Sequence, residues 1–186
     1  MYKLGNNILH LDNKLIYGSG VPILTETTLF HMTFENTLTP VVNNTVDNIT
    51  FSQNGLIVGY DTQYKCEGTY SYRARKVLWG IGDYWQWLVN TTGFKDLTFS
   101  FGSLVTSTAF NNKFDVRVSP DGTNWTKVIP SLIYTAINTC YYNLSDVFPA
   151  SCNNNATTYI RIYMYQGNVW GVHYYYIDDV KLIGFK

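Results

Sequence analysis

Charge is scarce in this sequence. Only 14% of the residues are Asp, Glu, Lys or Arg, and 13 basic residues balance 13 acidic ones. No Lys/Arg run is long enough to neutralise a row of phosphates, which excludes nucleic acid as a partner. Long apolar runs are also missing: nothing approaches the roughly 20 residues of a membrane span. The first twenty residues lack the apolar core of a signal peptide, so the expectation is a product made in the cytoplasm. Histidine is limited to His10, His31 and His173, and none sits in a nucleophile or metal motif. No catalytic residue is assigned, and His31, inside an apolar strand pattern, reads as structural. The three cysteines, Cys66, Cys140 and Cys152, have no metal spacing and leave one unpaired in any disulfide scheme. Cys140 and Cys152 could bridge across a polar loop in an oxidising compartment; buried free thiols are the expectation for a cytoplasmic product.

What the sequence has is aromatic and β-forming residues. Hydrophobic residues make up 46% and aromatics 17%, including 16 Tyr and 5 Trp. From Thr28 onward, short β-branched and aromatic runs alternate with Asn, Gly, Asp and Pro clusters, the pattern of a sandwich or barrel. Strands are expected at Thr28–Phe34, Leu56–Tyr60, Thr69–Lys76, Trp85–Val89, Asp96–Leu104, Lys113–Ser119, Thr126–Ile129, Tyr159–Tyr165 and Tyr174–Ile183. The fold class is therefore all-β, with strands enough for a two-sheet antiparallel β-sandwich, and a short N-terminal arm.

Residues 1–20, closed by Gly18-Ser19-Gly20, read as an arm appended to a domain over 21–186. The arm either adds a strand to a neighbouring chain or forms a hairpin around Asp12-Asn13. Arg73, Arg75 and Lys76, the densest basic spot, read first as charges guarding an exposed strand edge and second as a phosphate or sialate site. Residues 138–158 read as a long polar surface loop and a candidate contact surface. Pro120-Asp121-Gly122 supplies the fixed φ and the positive-φ position of a tight hairpin turn, over which Trp125 packs.

Phe34-Glu35-Asn36, Gly68-Thr69-Tyr70-Ser71-Tyr72, Trp87-Leu88-Val89, the Ser119-to-Trp125 hairpin and Tyr176-Ile177-Asp178-Asp179-Val180-Lys181-Leu182 occur in an order that resembles galactose-binding-like jelly rolls. That group includes carbohydrate-binding modules, MAM-type domains and cleaved-adhesin-like domains. The resemblance covers about Thr28 to Lys186. It implies a structural calcium held by Glu35 and Asp178, with Asp179 as the alternative ligand; the competing reading has these carboxylates hydrogen-bonded at the sheet rim without metal.

Tyr159, Arg161, Tyr163 and Tyr165 alternate with Ile160, Ile162 and Met164, so one face of that strand is aromatic and basic. Facing outward, this row admits a protein interface as the first reading, a glycan platform as the second and plain cross-strand stiffening as the third. Tyr141 and Tyr142 in the polar loop are further stacking candidates. The functional expectation is a non-enzymatic structural or binding protein. Its first form is a bacteriophage virion component (head fibre, capsid decoration or tail protein), assembled in the host cytoplasm, homo-oligomeric through its arm and contacting virion proteins and host-surface glycans. The alternative is a free-standing carbohydrate-binding module, secreted or at a cell surface.

Overall fold

The computed structural model describes residues 9–11, 14–16, 24–45, 49–167 and 169–186. Their strands are β1 (Leu9–Leu11), β2 (Lys14–Ile16), β3 (Leu24–Met32), β4 (Val42–Asn43), β5 (Thr50–Asn54), β6 (Ile57–Asp61), β7 (Ser71–Trp79), β8 (Tyr84–Val89), β9 (Lys95–Val105), β10 (Phe114–Ser119), β11 (Thr126–Ile129), β12 (Tyr141–Leu144), β13 (Thr158–Met164) and β14 (Val169–Phe185). Two single-turn 3-10 segments, Thr108–Phe110 and Ala150–Cys152, interrupt them. All pairings are antiparallel, in two sheets. The smaller runs β11-β10-β13-β8-β5; the larger is built on β14, with β9 along one side and β7 then β3 along the other. The expected two-sheet sandwich is what the chain forms.

Alternation drives the assembly. In β8 and β13 every second side chain is buried, so Trp85, Trp87 and Val89, and Ile160, Ile162 and Met164, enter the space between the sheets. The core is aromatic: Phe114 stacks on Tyr175 at 4.6 Å, Trp85 tilts over Tyr175 at 5.0 Å and Trp79 meets Phe110 edge-on at 5.0 Å. Truncating a buried ring such as Trp87 costs about 3–5 kcal/mol. The Tyr134 and Tyr175 hydroxyls bond each other at 2.6 Å, and Ser103 Oγ lies 3.0 Å from Tyr134. Burial pushes both phenols well above their ordinary value, so this relay stays neutral and its polar atoms satisfy one another.

Several expectations need correction. Cys66 and Cys140 form a disulfide, while Cys152 is free and buried. The bridged pair is brought together by β12 lying beside β9 under the 62–70 loop, a tertiary event that sequence spacing does not encode. Arg73 and Arg75 are not on a sheet edge, because β7 is flanked by β14 on one side and β6 on the other. Residues 138–158 are not wholly irregular, since Tyr141–Leu144 pairs with Ser100–Ser103 as β12. In the arm, β1 and β2 form a hairpin and β2 pairs back onto β3 through Lys14↔Thr25 and Leu15↔Leu24. The Gly18-Ser19-Gly20 boundary and the Asp12-Asn13 turn lie outside the described residues.

Candidate functional site

The three carboxylates expected to hold calcium lie where β14 changes neighbour from β7 to β3. Asp179 takes φ 48° there and the β14–β9 register shifts between Asp178 and Lys181. Asp178 Oδ2 accepts the backbone N–H groups of Cys66 (3.0 Å) and Glu67 (2.9 Å), and its Oδ1 accepts that of Asp179 (2.8 Å). Burial pushes the Asp178 carboxyl up to about 6 against the pull of these three donors. Glu35 Oε1 accepts the N–H groups of Thr69 (2.9 Å) and Tyr70 (3.5 Å). Gly68, at φ +58°, leaves the space this carboxylate fills: a Cβ there would lie 1.8 Å from Oε1. Asp179 is held by His31 Nε2 at 2.5 Å and Lys181 Nζ at 2.8 Å.

Calcium wants six to eight oxygens converging on one point. Here the oxygens converge on N–H donors and cations, and among the described residues no group of three or more His, Cys, Asp or Glu could hold a metal ion. These residues therefore do not fit calcium as arranged. Their work is to tie the 62–70 loop, itself bridged by Cys66–Cys140, to the first and last long strands.

The outer face of the five-stranded sheet carries Tyr159, Arg161 and Tyr163 from the predicted aromatic and basic row. Because Ile160, Ile162 and Met164 are buried, Tyr159, Arg161 and Tyr163 point outward, half-buried. Cross-strand register then fixes their neighbours. One row reads Ser52, Gln86, Arg161, Arg117, Lys127; the row beside it reads Asn54, Tyr84, Tyr163, Asp115; the row on the other side reads Thr50, Leu88, Tyr159, Ser119.

Cations interleave with rings along these rows. The Arg161 guanidinium lies 4.2 Å from the Tyr84 centroid and 4.0 Å from that of Trp125, Arg117 lies 4.0 Å over Tyr163, and Lys127 lies 4.4 Å over Tyr165. Arg161 Nε donates to Gln86 Oε1 at 2.6 Å. Asp115, fully buried, accepts a two-pronged contact from Arg117 (2.8 and 2.9 Å) and lies 2.8 Å from Lys127 Nζ. Three cations thus face one carboxylate, and Arg161 has no ion-pair partner among the described residues.

The hairpin after β10 closes one end of this face. Asp121 accepts the N–H groups of Thr123 and Asn124 at 2.8 Å and the Asn124 amide at 2.7 Å, bonds that hold its carboxyl well below the usual range. Gly122, at φ +76°, lies against the Tyr159 ring, and Trp125 Nε1 donates to Gly122 O at 3.1 Å. Trp125 packs over the hairpin as expected and also walls Arg161.

Tyr141 and Tyr142 belong elsewhere. On β12, Tyr141 Oη accepts the N–H groups of Thr135 (2.9 Å) and Ala136 (2.7 Å), closing a turn; the Thr135 hydroxyl and these two N–H groups draw its phenol below the ordinary value. Tyr142 is exposed over the disulfide loop, its hydroxyl 3.4 Å from Cys66 O. The residues that sequence reasoning missed are Tyr84, Gln86, Arg117 and Lys127. A usable signal was present in Tyr84-Trp85-Gln86-Trp87, where two indoles at alternate positions put Tyr84 and Gln86 on the opposite face.

No protein-family model matches the sequence, and no curated protein is similar to it. Solved structures are similar in fold. The CBM22-1 xylan-binding domain of Paenibacillus barcinonensis Xyn10C superposes with a TM-score of 0.58 at 11% identity, covering 85% of this chain and 94% of that one. The C-terminal family 22 carbohydrate binding module of Clostridium thermocellum Xyn10B gives 0.58 at 16% identity, covering 83% and 92%. The K2 cleaved adhesin domain of Lys-gingipain gives 0.52 at 15% identity, covering 85% and 99%. What these domains and this chain share is the jelly-roll sandwich itself.

Proposed function

We propose that this domain is a non-catalytic carbohydrate-binding module and that the outer face of the five-stranded sheet holds the glycan. The observation that carries this reading is the pair of adjacent cross-strand rows that set Gln86 and Arg161 beside Tyr84 and Tyr163, with Trp125 of the hairpin walling Arg161. Sugar rings offer an apolar C–H face to aromatic rings and pairs of hydroxyls to planar donors and acceptors, and this face supplies both. Four adjacent strands span roughly 15 Å at 4.8 Å per strand, room for a short oligosaccharide. The likeness to solved xylan-binding and adhesin domains supports the same reading.

Binding without catalysis is supported by the state of Asp115, which is buried and engaged by Arg117 and Lys127 instead of facing a second acid across a cleft. The Cys66–Cys140 bridge supports a secreted or cell-surface setting. The virion reading drew on a free N-terminal anchor, whereas the described part of that segment pairs back onto β3.

The test is affinity electrophoresis of the folded protein through gels containing xylan, mixed-linkage glucan, galactan, mannan or pectin. Retardation by at least one polymer is expected, weakened about five- to thirtyfold by Arg161→Ala or Tyr163→Ala, since each removes a contact of roughly 1–2 kcal/mol. A folded wild type that runs unretarded in every gel defeats the proposal.

A further inference from the structure

On the opposite side of the sandwich, the outer surface of the larger sheet holds a cleft of about 370 Å³ where β6, β7 and β14 run side by side. Ligand clefts run from roughly 300 to 1,000 Å³, so this one accommodates a sugar or two. Its base is an ion pair, Arg73 Nη1 to Asp61 Oδ2 at 2.6 Å, and Asp61 Oδ1 also accepts the Gln63 N–H at 2.7 Å. The Arg73 guanidinium lies 5.3 Å from the Tyr174 centroid, and the Tyr64 ring meets Tyr176 at 5.4 Å, so aromatic rings wall a fixed polar base.

Two further features mark it as built. The Tyr64 wall is anchored: Tyr64 O accepts a hydrogen bond from Ser71 Oγ, and the disulfide at Cys66 ties down the chain two residues on. A wall fixed before binding loses little entropy on binding. The β7–β14 register also slips between Trp170 and His173, with Gly171 at φ +100°. This bulge turns His173 to the cleft and leaves Trp170 70% exposed on the same segment. An indole this open to water, on the same strand that supplies Tyr174 and Tyr176 to the cleft, is an exposed apolar surface.

From this arrangement we propose a second carbohydrate site, for an uncharged mono- or disaccharide, on the face opposite the first. Uncharged ligands are selected because Asp61 neutralises Arg73, so neither a phosphate nor a carboxylate finds an unpaired cation in the pair. With sites on both outer faces the domain is bivalent and cross-links two glycan chains.

The experiment is amide chemical-shift mapping on the full chain, titrated with xylobiose, cellobiose, galactobiose and mannobiose. Saturable shifts are expected at residues 61–64 and 172–176 with at least one probe. Their affinity should fall about tenfold or more in Tyr174→Ala or Gln63→Ala and stay unchanged in Arg161→Ala. Shifts confined to residues 84–88, 115–117 and 159–165 overturn the second site while leaving the first intact. Shifts confined to the cleft establish the second site and defeat the first. Cleft shifts that survive both cleft variants, in protein shown to be folded, also overturn it.

Discussion

Reduction of the Cys66–Cys140 bridge should destabilise the domain more than any single surface change. The bridge joins residues 74 apart in the chain. Releasing a closed loop of that length returns chain entropy to the unfolded state worth about 4 kcal/mol at 25 °C. For a domain of this size that corresponds to a fall in melting temperature of roughly 8–16 °C. The folded state changes too. Cys66 lies against Gly102, where an added Cβ would sit 2.8 Å from the cysteine sulfur, and the adjoining amides of Cys66 and Glu67 satisfy the buried Asp178. The assay is calorimetry with and without a phosphine reductant, alongside Cys66→Ser/Cys140→Ser. Alkylation after denaturation counts one thiol in the oxidised chain, Cys152, and three in the reduced one. A shift under about 3 °C on full reduction refutes the account of the bridge as a stabilising tie.

The remaining expectations concern the carboxylates and the packing around them. Asp178 carries a folded-state pKa raised to about 6 from 3.8, so the unfolded chain releases that proton first. Its contribution is complete at acid pH and is lost as pH rises from about 4 to about 6; Asp178→Asn should flatten that part of the stability–pH curve, and an unchanged slope sinks the assignment. Because Glu35, Asp178 and Asp179 are engaged by N–H donors and cations, neither calcium nor a chelator should move the melting temperature; a rise with calcium would reinstate the metal reading. Gly102→Ala should lower stability by pushing the Cys66 side chain off β9, which thermal melts at matched redox state would show.

The parts of this fold that could be read in advance are those where alternation is strong. Trp85–Val89 and Thr158–Met164 bury every second residue against a thick core, and in Phe114–Ser119 the apolar residues alternate although Asp115 and Ser119 between them are buried as well, so period and face follow from the sequence. β5 and β12 escaped because Thr50-Phe51-Ser52-Gln53-Asn54 and Tyr141-Tyr142-Asn143-Leu144 are short, mostly polar edge strands whose pairing is decided by their neighbours β8 and β9. β14 was expected to begin at Tyr174, but a bulge at Gly171 continues the strand and it starts at Val169. For the site, one strand's outward row was visible from its own period, while Gln86, Arg117 and Lys127 join it only through register. The disulfide partner of Cys140 was not encoded locally either, because it depends on how the 62–70 loop crosses β9.

The long β14 strand also sets the order of events during synthesis. β3, β7 and β9 all pair with it, so a ribosome must deliver residues 169–185 before any of the three gains its central partner. Until then those strands present unsatisfied edges, and pairings across nearly the whole chain make closure slow. Nascent chains that stall before Val169 should therefore be the species most dependent on chaperones and most prone to aggregate.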